Sequence, residues 1–375
     1  MSNKKRNRAM AGLCLVLLLL AACGSPTAAP ATAAPQVATL AAALATATTK
    51  SLATGPAASA AATPGPRSDG LLEAQAKTLD SLAQVDDYPL YTMTYYGAYD
   101  VTASASEGTG TGVPAWACSL FTALAQDHDK LYGRNFDWRL SPAMLLFAAP
   151  PDGYASVSMV DIGYLVDGDK VGRLTDLPLA GREALLDAPF WPFDGMNEMG
   201  LAIGMAAVPD QPLPLDPDKE AIGSLGIIRE MLDHAGNVDE ALEILQMYNL
   251  AWDGGPALHY LIADPSGEAL LVEFYKGEMV VLPNEDAWHL ATNHLRSEAN
   301  ETGSYTCQRY DRIQERLAET AGGLGSGEAM ELLSEVAQQN TQWSVVYGMD
   351  KGTVYVAMGK EYDVVHSFEL SSMGE

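Results

Sequence analysis

Positive charge is scarce in this chain: 22 Lys and Arg stand against 48 Asp and Glu in 375 residues, for a formal net charge of -26. Such a body repels a phosphate backbone, so nucleic acid is excluded as a partner class, and an anionic membrane surface repels it for the same reason. Histidine is rare too. None of the six lies in a motif that nominates it as the base partner of a thiol, which argues against a papain-like hydrolase. Asp127-His128-Asp129 reads as a solvated turn, because no second cluster of ligands accompanies it. No repeat of fixed period is present. The one long apolar run, Leu13 to Leu20, is too short to span a bilayer and remain there.

Cysteine is the most informative scarcity, at four residues. Two belong to the N-terminus. Lys4, Lys5, Arg6 and Arg8 precede the apolar run, which marks residues 1–22 as an export signal. The run ends in Leu20-Ala21-Ala22-Cys23, which resembles the bacterial lipobox, so Cys23 is expected to carry lipid and to tether the exported chain to the cell membrane, outside the cytoplasm. Residues 23–68 are almost wholly Ala, Thr, Pro and Ser, with no aromatic residue. Such a stretch cannot bury enough side chain to offset its ordering entropy, and it reads as a linker. Loss of the four signal cations leaves a net charge of about -30, so lipid rather than electrostatics must hold the protein at the membrane. Cys118 and Cys307 then remain for the folded body. An exported protein can pair them, but nothing in the sequence requires it.

From residue 69 onward the pattern is that of one large domain. Leucines at 71, 72, 79 and 82 predict an amphipathic helix over 69–83, and a strand follows from Tyr88. Residues 102–111 are rich in Gly, Ser and Thr and form an exposed lead-in to Cys118. Two strand-like runs, 119–125 and 131–138, flank the Asp-His-Asp turn. Helical spacing predicts helices over 225–232, over 238–248 with Asn237 and Glu240 as a capping box, and over 327–338. Strands are predicted at 259–264, 269–275, 279–282, 343–347 and 354–358. Antiparallel strands, a helical middle, then strands again point to a layered α+β architecture rather than alternating βαβ units.

Cys118, followed by a hairpin and Gly133-Arg134-Asn135-Phe136-Asp137-Trp138, resembles the N-terminal cysteine hydrolases of the choloylglycine and linear-amide hydrolase superfamily. That group includes bile-salt hydrolases, penicillin V acylases, acid ceramidase relatives and isopenicillin N acyltransferases. Asp194-Gly195-Met196-Asn197-Glu198-Met199-Gly200-Leu201, Ala291-Thr292-Asn293-His294, Arg309 and Gln342-Trp343-Ser344-Val345-Val346-Tyr347 match further family elements in order. The resemblance covers the chain from about Tyr88 to its end.

The resemblance implies a four-layer αββα sandwich of two antiparallel sheets between helical layers. It implies hydrolysis of a linear amide in an N-acylated small molecule through a thioester on Cys118, with no cofactor or metal. An N-terminal cysteine carries its own base in the α-amino group, whose reference pKa is about 8. On this reading Asp137 holds the amine, Arg134 favours the thiolate, the side-chain amides of Asn197 and Asn293 receive the oxyanion, and Arg309 completes the charge network. Cys118 lies far inside the chain, so the resemblance also implies a cut between Ala117 and Cys118. That divides the body into a pro-segment, 69–117, and a catalytic part, 118–375. Two other outcomes fit the same scaffold. An amine in place of water would make an acyltransferase, and a non-catalytic ligand-binding lipoprotein would show a damaged site, although all six site residues are present. Substrate choice falls to pocket loops, 144–153 and 208–218 among them, and His294 reads as a structural histidine at a strand end.

Overall fold

A computed structural model of the chain describes residues 71–101, 117–138, 141–166, 171–252 and 254–370. The signal 1–22, the lipid site Cys23, the linker 23–68 and the Gly/Thr lead-in 102–111 lie outside the described residues.

Strands are numbered in chain order. A nine-stranded sheet runs in spatial order β1 (Ala83–Asp86), β2 (Leu90–Tyr95), β5 (Ala143–Ala148), β6 (Ser156–Asp161), β7 (Asp194–Asn197), β8 (Ala202–Ala207), β11 (Leu258–Ala263), β12 (Ala269–Tyr275) and β13 (Glu278–Pro283). A six-stranded sheet runs β14 (Trp288–Ala291), β3 (Ala117–Ala123), β4 (Leu131–Asp137), β15 (Thr341–Gly348), β16 (Thr353–Met358) and β17 (His366–Glu369). A small parallel ribbon pairs β9 (Ala221–Gly223) with β10 (Asn249–Ala251). The helices are α1 (Glu73–Asp80), α2 (Gly226–His234), α3 (Val238–Met247), α4 (Arg296–Thr302), α5 (Gln308–Glu319) and α6 (Ser326–Glu335).

The two large sheets stack face to face. Cys118, Leu120 and Phe136 of one share a buried core with Ile203 and Met205 of the other. Helices α2 and α3 cover the nine-stranded sheet at β7, β8 and β11, while α1 and a run of 3-10 turns cover it at β2, β5 and β6. Helices α5 and α6 cover the outer face of the six-stranded sheet, where Ile313, Leu317 and Leu332 meet Phe121, Leu131 and Val346. This is the expected four-layer αββα sandwich. One pairing departs from the all-antiparallel expectation: β2 and β5 run parallel. Because β3 and β4 belong to the other sheet, the chain leaves after β2 and re-enters beside it by a long crossover, which is what parallel pairing demands.

Local chemistry explains the starts of α3 and α6. Asn237 Oδ1 accepts from Glu240 N at the start of α3, and the Glu240 carboxylate accepts from Gly236 N, one residue earlier than the simple capping box. Glu328 reaches back in the same way to Gly325 N at α6. The first half of the stretch expected as a pocket loop at 144–153 is instead β5, every residue of which is buried. A strand covered on both faces carries no alternation to betray it.

Candidate active site

Cys118 is the second residue of β3, and register fixes its neighbours. On one side it faces Phe136 of β4; on the other, the β14 pairing that sets Ala291 against Leu120 carries Asn293 up beside Cys118. Three atoms of Cys118 are held by three different elements. Arg134 Nη2, on β4, lies 3.5 Å from the sulfur. The backbone N–H of Cys118 donates to Asn293 Oδ1 at 2.9 Å. Arg309 Nη1, in the first turn of α5, donates to the Cys118 carbonyl, to Ser119 Oγ at 2.9 Å, and through Nη2 to Asn293 Oδ1 at 2.8 Å.

Arg134 is fully buried and fixed in place. It pairs with Asp194 at the start of β7, and donates to the carbonyls of Phe193 and Met205 at 2.6 and 3.1 Å. Asp194 in turn accepts from Tyr347 and Trp343 of β15. Burial pushes the Asp194 carboxyl up, and the Arg134 guanidinium opposes it. The resulting ion pair links both sheets beneath the thiol.

Asp137 ends β4 opposite Ala117. One oxygen accepts from Thr341 Oγ1. The other is buried, hydrogen-bonds to none of the described residues, and lies 3.9 Å from Arg309. Burial pushes the Asp137 carboxyl up to about 6, against the Thr341 hydroxyl and the Arg309 and Arg134 guanidiniums. Burial also pushes the Cys118 thiol up, with Arg134 pulling the other way. In this intact chain desolvation outweighs the arginine.

The structure thus brings together Cys118, Arg134, Asp137, Asn293 and Arg309. Asn197, the other amide expected at the oxyanion, does not join them. Its Nδ2 donates to the carbonyls of Leu232 and Ala235 at 3.0 and 2.7 Å, and its Oδ1 accepts from Met199 N and Leu201 N. Both amide hydrogens are committed to α2, on the far side of the sheet from the thiol. Asn197 therefore fixes the β7 to β8 turn, where Gly200, at φ +83, leaves no room for a Cβ against the Met349 carbonyl. Asn293 Nδ2 donates to the carbonyl of Ala207, the last residue of β8.

Asp194, Ser119 and Thr341 carry site contacts that the motif reading did not assign. Asp194 was in plain sight as the first residue of its Asp-Gly-x-Asn-Glu element; a buried strand arginine needs an acid, and this is the one. Beyond the end of β8, Leu213 to Asp216 line a small cavity with Lys219, Tyr248, Asn249, Leu250, Phe274 and Met279, and none of the site residues lines it. Cys118 and Cys307 are both free thiols.

Residues 190–363 match the family described as acyl-coenzyme A:6-aminopenicillanic acid acyl-transferase, a span that contains Asp194, Asn293 and Arg309 and begins after Cys118. Among solved structures, a variant of the conjugated bile acid hydrolase from Clostridium perfringens is similar at 16% identity and TM-score 0.50, over 69% of this chain and 93% of that one. Penicillin V acylase from Agrobacterium tumefaciens is similar at 17% identity and TM-score 0.48, over 68% and 86%. No curated protein matches by sequence. The sequence match thus lies in the C-terminal part of the chain and is to the acyl-transferase family, while the layers follow the fold of the bile acid hydrolase.

Proposed function

We propose that this protein is an amidase of N-acylated small molecules whose nucleophile is Cys118, released as an N-terminal residue by cleavage after Ala117. The observation that carries the reading is the three-way grip on Cys118: sulfur against Arg134, N–H on Asn293, carbonyl under Arg309. In the intact chain the sulfur is fully buried, and the acyl carbon nearest to it along the chain is the Ala117 carbonyl, which is bonded to the Cys118 nitrogen. In the first step the Cys118 sulfur attacks that carbonyl carbon. The C–N bond breaks, the nitrogen takes the thiol proton and becomes the α-amine, and water then hydrolyses the thioester to the Ala117 carboxylate and a free thiol.

The unmatched Asp137 oxygen lies opposite Ala117, where an α-ammonium created by the cut supplies the missing donor. With that amine as base, the same thiol acylates on a substrate amide, releases the amine product, and is freed by water. Arg134 and Arg309 place positive charge beside the thiolate, and Asn293 is the remaining oxyanion amide. The lipobox-like Leu20-Ala21-Ala22-Cys23 supports a tether at the outer face of the membrane.

The acyl-transferase match favours a second reading on the same thioester, in which an added amine rather than water takes the acyl group. Denaturing electrophoresis with N-terminal sequencing tests the first claim. The expected result is a fragment beginning at Cys118, absent in Cys118→Ala, which also loses turnover of an N-acyl substrate panel by at least about a thousandfold. An uncut chain that turns substrate over would sink the proposal. Product analysis with and without added amine separates hydrolysis from transfer.

A further inference from the structure

The second free thiol sits in a built environment of its own. Cys307 is the residue that caps α5 at its N-terminus and is half-buried. Its sulfur lies 3.3 Å from Thr292 Oγ1, and that hydroxyl lies 3.1 Å from His294 Nδ1. Thr292 is fully buried, and its carbonyl is gripped by His259 Nε2 at 2.8 Å, so the hydroxyl is held in place. The His294 ring is clamped as firmly: it stacks on Tyr305 with centroids 4.9 Å apart and 4° between planes, and meets the edge of Tyr310. A thiol, a hydroxyl and an imidazole held in sequence are the parts of an activated nucleophile.

The charges around the sulfur act in the same sense. His294 and Thr292 face it from the end of β14, and the backbone N–H of Tyr310 and the Arg309 guanidinium from α5. Tyr305 from the preceding loop, Arg296 of α4 and Asp311 of α5 complete the titratable and charged surroundings. Against the burial that opposes it, the hydrogen bonds from His294 and Thr292, the helix start and Arg309 bring the Cys307 thiol down to about 6. Cys118, in contrast, is buried and pushed up in the intact chain.

We propose that Cys307 is a thiol-modification site, which forms mixed disulfides with small-molecule disulfides by exchange. The Cys307 thiolate attacks one sulfur of the disulfide; the new S–S bond forms as the old one breaks, and the other sulfur leaves as a thiolate. A small thiol reverses the step, so no further oxidant is needed. The site stands independently of the amidase reading, but it lies two residues from Arg309 and touches the neighbour of Asn293, so what is loaded there presses on the segment that holds Cys118.

The test uses the full chain and peptide mapping by mass spectrometry, which reads Cys307 apart from the other cysteines and needs no enzymatic activity. Iodoacetamide alkylation of Cys307 should rise to half its maximal rate near pH 6, and oxidised glutathione at pH 7 should add one glutathione to Cys307, removable by dithiothreitol. His294→Phe, which keeps the stack on Tyr305, and Thr292→Val should each move the alkylation midpoint upward by a pH unit or more. A wild-type midpoint above pH 8, or a midpoint that neither variant moves, overturns the proposal; if both variants unfold, the wild-type profile alone decides.

Discussion

At the scale of single residues, the site was legible where chemistry and motif coincide and illegible where only tertiary placement speaks. Cys118, Arg134 and Asp137 are near neighbours along one hairpin, so spacing alone joins them. The placement of Asn197 is not legible, because an Asn in a tight Gly-rich turn looks the same whether its amide faces a substrate or the end of a helix. The role of Asp194 is hidden in the sequence because its partner is 60 residues away. Its importance follows from burial: Arg134 and Asp194 are both fully out of water, and a guanidinium without its carboxylate there has no solvent to fall back on. Asp194→Asn should therefore destabilise the fold by about 3–5 kcal/mol, whereas breaking a solvent-screened surface pair such as Lys351 with Asp129 should cost far less. Urea unfolding of Asp194→Asn beside Asp129→Asn reads the difference; equal losses would show that the buried pair is not the anchor of Arg134.

At the scale of elements, the segment from β14 to α5 is the part that places Asn293 and Arg309, and its fixing point lies outside the motif. Glu273 on β12 is buried and caps α4: its oxygens accept from Arg296 N and Ser297 N, each at 2.8 Å, and from Ser297 Oγ. It also meets His259 Nδ1 at 3.0 Å, while the other ring nitrogen of His259 holds the Thr292 carbonyl. Nothing in the local pattern of β12 or β11 announces this, since both read as apolar strands with one polar residue each. Burial works against the Glu273 charge, but the bonds from His259 and Ser297 win and bring the carboxyl from 4.5 down to about 2. The sign follows directly. A depressed carboxylate contributes stability that is fully present above the unfolded value near 4.5 and is lost as pH falls toward 2. Wild type should thus melt higher than Glu273→Gln by a constant margin above pH 5, and the margin should close between about pH 4.5 and pH 2. Melting curves of both proteins across that range give the answer, and a margin independent of pH would remove Glu273 from the account.

At the scale of the whole molecule, the four layers were within reach of the family resemblance, while the strand and helix pattern alone gave only an α+β layering. What neither conveyed is how deeply the part before Cys118 is built into the rest. Strand β2 lies between β1 and β5, paired with β5 along its full length from Leu90 to Tyr95, so the part before Cys118 contributes two of the nine strands of one sheet. Leu79 of α1 and Tyr91 and Met93 of β2 share one buried cluster with Met144, Leu146 and Val160, which follow Cys118 in the chain. Burying such side chains stabilises by about 1.5–3 kcal/mol each relative to exposure, which far exceeds what one broken peptide bond between Ala117 and Cys118 releases in chain freedom. If the cut occurs, the two fragments should therefore co-elute in gel filtration under native conditions and separate only in denaturant. Residues 118–375 expressed alone should leave the β5 edge unpaired and its apolar face open, the arrangement that drives edge-to-edge aggregation. A soluble, monomeric 118–375 fragment with wild-type melting temperature would show instead that the pro-segment is a dispensable cover, and that the catalytic layers close without it.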